Sequence, residues 1–392
     1  MLAKSIYKSL STIAVLALLI AASAFVYPQN SNRKIIYGPY VQNVTATRAV
    51  ICWVEAEAEA RIGVAPDKLE AAARDYRRHE MALDGLKPST QYYYDVLKDG
   101  TSRGTGRFTT APQGSAPFMF VVYGDTRTRP EIHRQIVQRI IPLNPSLVLH
   151  TGDLVARGRR AVDWDGFFDV VNEMVRNVPL FPSLGNHEDD SPLYYQFFAL
   201  PGSERYYSFD WGGVHFIALD SNDPRPEGDA RGTTAEAKAA YEKQKEEYWK
   251  AQTRWLEQDL KANRSADFIC VYFHHPPFST RTSRAASAAR MRNLFVKIFE
   301  IYKVDIVFNG HDHNYQRHIS NGIHYVVTGG GGAPLYDTEQ PLPGITQKLA
   351  QIEHFLKVNV AEQKMEIEAI DLKGNLIEKF EVAKRQRSTA GP

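Results

Sequence analysis

The 392-residue sequence predicts a mixed α/β (α+β) domain preceded by a small all-β sandwich. Residues 35–111 carry β-branched and aromatic runs without a long helical period. From Phe118 onward, buried-strand runs alternate with helical patterns, and each run ends in a polar cluster. With 43% hydrophobic and 23% charged residues, the chain has room for one large domain and a smaller one.

The N-terminus reads as an export signal. Lys4 and Lys8 precede the apolar "IAVLALLIAASAFV", and Ala22-Ser23-Ala24 offers a small-x-small cleavage site. An uncleaved anchor is the rival reading, but the apolar stretch is short for a span. Cleavage after Ala24 assigns 1–24 to the signal and predicts a secreted or periplasmic protein with no stable membrane span.

"RAVICWVE" (48–55) and "TQYYYDVL" (90–97) are strand-like, and "GLKPSTQYYYDV" sets a proline turn before a tyrosine-rich strand, as sandwich domains often do. "TTAPQGSAP" (109–117) is a linker. Then come the strand runs "FMFVVYG", "SLVLHTG", "LFPSLGN", "FICVYFH" and "DIVFNG", with helical patterns at 131–141, 164–176, 236–262 and 287–302. "YYSFDWGGVHFIALDS" reads as a hairpin around Gly212-Gly213, and the stretch from His354 to Val382 reads as three antiparallel strands. "NDPRPEGDARGTT" (222–234) is a polar excursion whose place near strand ends suits a substrate entrance.

The formal charge is +2, from 47 basic and 45 acidic residues, so there is no nucleic-acid footprint. "KRQRS" (384–388) reads as a solvated end. Cys52 and Cys270 read as buried free thiols, since neither has ligand spacing. "NVT" at 43 and "NRS" at 263 fit the glycosylation pattern, relevant only in a host that glycosylates exported proteins.

Asp125, Asp153, Asn186-His187, His274-His275, His311 and His313 all follow strand-like runs. In sheets with crossover connections the carboxyl ends of strands gather at one edge, so five segments would bring oxygen and nitrogen donors together. A carboxylate can bridge two cations, neutral imidazoles bind zinc, iron or manganese, and an amide oxygen adds a ligand without charge. Such a pair acidifies a bridging water and clamps the attacking and leaving oxygens of a phosphoryl group.

The motifs "GD" (124–125), "GD" (152–153), "GNHE" (185–188), "VYFH" (271–274) and "GHDH" (310–313) resemble those of calcineurin-like metallophosphoesterases, closest to the purple acid phosphatase branch. "YGPYVQNV" is similar to the opening strand of the fibronectin-type-III-like module that precedes their catalytic domain. The resemblance implies a four-layer αββα metallophosphoesterase sandwich at 117–384, a fibronectin-III-like β-sandwich at 35–111, and two divalent or trivalent metal ions (Fe, Mn or Zn). It also implies a phosphoester substrate. By the same resemblance Asp153 bridges the metals, Asn186, His274 and His311 complete one site, and Asp125 and His313 belong to the other. His187 contacts phosphate and protonates the leaving oxygen.

Two positions depart from the family pattern. The wider family has a histidine two residues after the first aspartate, where Arg127 stands, and the purple branch a tyrosine three residues after the second, where Ala156 stands. Three accounts stay open. Water fills the gap, His133 supplies a ligand from the helix after Pro130, or one metal suffices while Arg127 supplies charge and grips phosphate.

His275 reads equally as a substrate contact or a shaper of the turn before Pro276-Pro277. His150 and His215 read as packed histidines. Arg129 and Arg157 read as solvated loop arginines, and "VVTGGGGAPLYD" (326–337) as a flexible turn near the metal edge.

The expected function is exported, metal-dependent phosphoester hydrolysis, with a metal-activated water attacking phosphorus and monoesters favoured over diesters. A phosphodiesterase of the same fold is the first alternative. A catalytically silent protein that binds a phosphate ligand or a surface partner is the second.

Overall fold

The computed structural model describes residues 34–62, 64–226 and 234–385. The export signal, most of the 222–234 excursion and residues 386–388 of the basic run lie outside them. Seven strands come first: β1 (Lys34–Gln42), β2 (Arg48–Ala56), β3 (Glu59–Ile62), β4 (Glu70–Arg74), β5 (Arg77–Asp84), β6 (Gln91–Lys98) and β7 (Thr101–Thr109). β2, rich in β-branched residues, pairs antiparallel with β1 and β5, while β3–β4 and β6–β7 form two hairpins.

The rest of the chain alternates. β8 (Phe118–Tyr123), α1 (Pro130–Ile140), β9 (Leu147–His150), α2 (Ala161–Val175), β10 (Leu180–Pro182) and α3 (Pro192–Phe197) are followed by the hairpin β11 (Tyr207–Trp211) and β12 (Val214–Ala218). Next come α4 (Ala235–Ala262), β13 (Phe268–Phe273), α5 (Ala285–Met291) and α6 (Lys297–Ile301), the last two joined by a π-helical turn at Arg292–Val296. β14 (Ile306–Asn309), β15 (Tyr315–Ser320), β16 (Ile323–Thr328), β17 (Thr346–Ala350), β18 (His354–Val360), β19 (Lys364–Asp371) and β20 (Leu376–Ala383) complete it.

Two sheets result, ordered β10-β9-β8-β18-β19-β20 and β11-β12-β13-β14-β16-β15-β17. Their inner faces meet through aromatic rings: Phe120 of the first sits edge-on to Phe216 of the second at 5.2 Å, and Phe181 stacks on Phe209 at 3.9 Å. On the outer face of the first sheet, Tyr123 and His150 pack against His133 of α1 and Phe167 of α2. Beyond the second, Ile217, Val271 and Phe273 cluster with Trp249, Leu256 and Leu260 of α4 and with Phe295 and Phe299. The layers therefore run helix, sheet, sheet, helix. Among the described residues no helix is long and apolar enough to cross a membrane. Cys52 and Cys270 are buried and form no disulfide with each other.

Each sheet contains a run of parallel strands: β10, β9 and β8 in one, and β12, β13, β14 and β16 in the other. Their carboxyl ends share one edge, and the polar clusters read from the sequence leave the sheets there.

Candidate metal centre

Asp125 follows β8, Asp153 follows β9, and both aspartates are buried in left-handed backbone, at φ 58° and 56°. His311, after β14, shares that conformation at φ 72°. A run of sharp turns at strand ends tips these side chains over the sheet edge, a strain typical of functional sites. Glycines make the turns possible. A Cβ on Gly310 would fall on the Asp125 carboxylate, and one on Gly185 on the Asp153 backbone nitrogen.

His274, fully buried after β13, spends its Nδ1 proton on the Thr151 carbonyl, 2.9 Å away. Its Nε2 then faces Asn186 Oδ1 at 3.1 Å, His311 Nδ1 at 3.1 Å and Asp153 Oδ1 at 3.3 Å. Four electron-pair donors this close call for a positive charge among them. Burial alone would push the His274 imidazole down, but Asp153 beside it raises it to about 9. Burial works to raise the Asp153 carboxyl too, yet His274 and His187 hold it well below the usual range, while burial with the Asp153 charge lifts Asp125 to about 8.

His187 sits at the open rim, about 30% exposed. Its Nδ1 donates to the Ala156 carbonyl at 2.7 Å, and its Nε2 points toward Asp153 Oδ2, 3.9 Å away. The Asp153 carboxylate also accepts the His187 backbone N–H at 3.0 Å.

Arg127 turns inward. Its Nε donates to Asp153 Oδ2 at 3.2 Å and its Nη2 to His313 Nε2 at 3.3 Å. His313 can accept because its Nδ1 proton goes to the Pro334 carbonyl at 2.7 Å. The same Nε2 lies 3.5 Å from Asp125 Oδ1, and both oxygens of that carboxylate accept the His311 backbone N–H.

Residues 118–315 match the calcineurin-like phosphoesterases. The chain belongs to that family. Purple acid phosphatase 15 of Arabidopsis thaliana is 29% identical over 308 residues, 65% of this chain and 53% of that protein. An uncharacterized protein of Mycobacterium tuberculosis is 28% identical over 306 residues, 69% of this chain and 54% of that protein. The chain thus spans about half the length of these curated relatives. Purple acid phosphatase from yellow lupin (Lupinus luteus) seeds shares the fold, with a TM-score of 0.68 at 19% identity over 88% of this chain and 74% of that one.

Membership suggests a dinuclear metal centre. The donor set of this chain fits one cation well: a carboxylate, an amide oxygen and two imidazole nitrogens suit zinc, iron or manganese. Asp125, Asp153 and His274 offer ligand atoms within 4.8 Å of one another, as do His274, His275 and His311. The other half fits less well, because Arg127 already donates to His313 Nε2 and Asp153 Oδ2.

His133 is not brought to either cluster. It is buried against Phe167, with Nε2 3.3 Å from the Tyr123 hydroxyl, on the wall of a cavity of about 220 Å³ that Ala156 and Arg127 also line. A helix start so close to the strand end turns its first inward side chain onto the sheet's outer face, not over its edge. His275 is half-buried, with Nδ1 2.8 Å from Ser221 Oγ and its ring 4.3 Å from that of His311. His150 packs as expected, meeting Thr126 Oγ1 at 3.2 Å.

Three features escape a reading of motifs. The glycines at 329–332 form a buried strut, not a flexible turn: Gly331 N–H donates to the Gly124 carbonyl at 2.9 Å and Ala333 N–H to that of Asp125 at 2.7 Å. Arg129 is not a solvated arginine, because it donates to the Gly332 and Ala333 carbonyls at 2.7 and 2.6 Å. Tyr336 stacks on His313 at 3.9 Å. Arg157 is exposed beside Asp163.

Proposed function

We propose that this chain is an exported, metal-dependent phosphoester hydrolase that prefers monoesters. The observation that carries the reading is the convergence of His274 Nε2, Asn186 Oδ1, Asp153 Oδ1 and His311 Nδ1 beside a rim histidine. Asp153, Asn186, His274 and His311 would hold a cation, which when bound supplies Lewis acidity toward the phosphoryl oxygens and the attacking water.

His187 is positioned as the general acid. Its Nδ1–H is committed to Ala156, so the imidazolium has one proton to give, at Nε2. As the phosphorus–oxygen ester bond breaks, that proton passes to the departing oxygen, releasing an alcohol and inorganic phosphate. Arg127 presents its planar fork to the phosphoryl oxygens and adds fixed positive charge, which suits the dianion of a monoester better than the single charge of a diester. The likeness to purple acid phosphatases supports the same preference, and the apolar run with its small-x-small cleavage site at Ala22-Ser23-Ala24 supports export.

The test is a comparison of esters. kcat/KM for p-nitrophenyl phosphate should exceed that for its bis-ester by on the order of tenfold or more. His187→Ala should slow phenyl phosphate, a poor leaving group, by about 10²–10⁴-fold and p-nitrophenyl phosphate far less. A preferred diester would make the protein a phosphodiesterase, equal losses on both monoesters would remove His187 as the acid, and no turnover of any ester would leave a binding protein.

A further inference from the structure

We infer that the guanidinium of Arg127 stands where the family's first metal ion would, so that the chain binds a single cation. The inference rests on the metal-dependent reading above. A first cation needs lone pairs from Asp125, from the second oxygen of Asp153 and from His313. Two of those three are already committed: Asp153 Oδ2 accepts from Arg127 Nε at 3.2 Å and His313 Nε2 from Nη2 at 3.3 Å. His313 has no second lone pair to turn inward, since its other nitrogen is protonated toward Pro334.

The third donor, Asp125, has another task. Asp125 accepts the His311 backbone N–H with both oxygens and so sets the angle of a ligand on the remaining cation. Neither Ala156 nor His133 supplies a replacement ligand: the Ala156 side chain has no donor atom, and His133 faces Tyr123. Arg127 is itself only 14% exposed, held in a charge-complementary slot from which a small cation in solution would have to expel it. Guanidinium keeps its charge at every working pH and offers phosphate a bidentate grip, but it cannot acidify a water by coordination. The division of labour is then one cation for activation and one fixed fork for binding.

The experiment is metal content on the full chain after loading with Mn²⁺ and removal of loose ions, with electron paramagnetic resonance on the same sample. The inference expects one Mn²⁺ per chain with the six-line signal of an isolated ion, and two per chain with an exchange-coupled signal in Arg127→His. Two coupled ions in the unaltered protein would overturn it while leaving the hydrolase reading intact. One ion in both proteins would show that Arg127 is not what excludes the second, and would also overturn it. No bound ion would sink this inference and the metal-dependent reading together, and if the variant does not fold, the unaltered chain alone decides.

Discussion

Glu188, fourth residue of "GNHE", holds the centre together through backbone donors. Its buried carboxylate accepts backbone N–H groups from Gly185 at 2.7 Å, Leu154 at 2.8 Å, Asp153 at 2.9 Å and Val155 at 3.3 Å. Two loops that carry ligand candidates are thereby tied to one carboxyl group. Glu188→Gln keeps the size but turns an NH₂ toward backbone donors, so it should cost about 2–4 kcal/mol of stability, read as a lower denaturant midpoint. An unchanged midpoint would mean the loops hold without it. The motifs made Asp125, Asp153, His274 and His311 legible, because strand-end position and residue chemistry both lie in the local sequence. Arg127's inward turn, the Arg129 staple and the stacking of Tyr336 on His313 were not legible. Each depends on contacts across many residues of chain, with no local pattern to announce them.

At the scale of elements, the hairpin β11–β12 is fastened to Asp259 of α4 by His215, beside a hydrogen bond from Ser208. His215 on β12 is buried, with Nδ1 2.7 Å from Asp210 of β11 and Nε2 2.7 Å from Asp259 of α4. The apolar run "GVHFIAL" correctly marks a core position but not a charged one. Burial would lower the imidazole, yet the two carboxylates raise it to about 9. A folded value above the ordinary 6.5 means this clip stabilises fully below about pH 6.5 and is lost as pH rises through about 9, an effect of up to about 3 kcal/mol. Urea midpoints should therefore fall between pH 6 and pH 10 more steeply than in His215→Asn. Parallel curves for the two proteins would contradict the clip. Hydrophobic periodicity placed four helical segments within a few residues of where they lie, at 130–140, 161–175, 235–262 and 285–301, but not the short α3. It did not show that the C-terminal strands join the first sheet, with Leu356 opposite Val122. Alternating patterns mark a strand, and its partner is chosen by packing.

At the scale of the whole molecule, the described residues from Lys34 onward form one compact unit. The N-terminal strands are bolted to the helical face beside the site. Tyr37 stacks on Phe168 at 4.4 Å and its hydroxyl donates to Asp165 at 2.6 Å, Tyr40 donates to the Phe197 carbonyl at 2.6 Å, and Tyr94 to that of Arg176 at 2.7 Å. These tyrosines fix α2 and α3 from behind, and with them the loop from Leu184 to Ser191 that carries Asn186, His187 and Glu188. The sequence suggested a small all-β part, but its tight seating follows from shape complementarity between surfaces that no single segment encodes. The account as a whole rests on a cation among Asp153, Asn186, His274 and His311. Its most direct test is turnover of p-nitrophenyl phosphate by the chelator-stripped chain as Mn²⁺ is added back. Activity should be lost on stripping and return in proportion to bound metal. A stripped chain as active as the loaded one would contradict it.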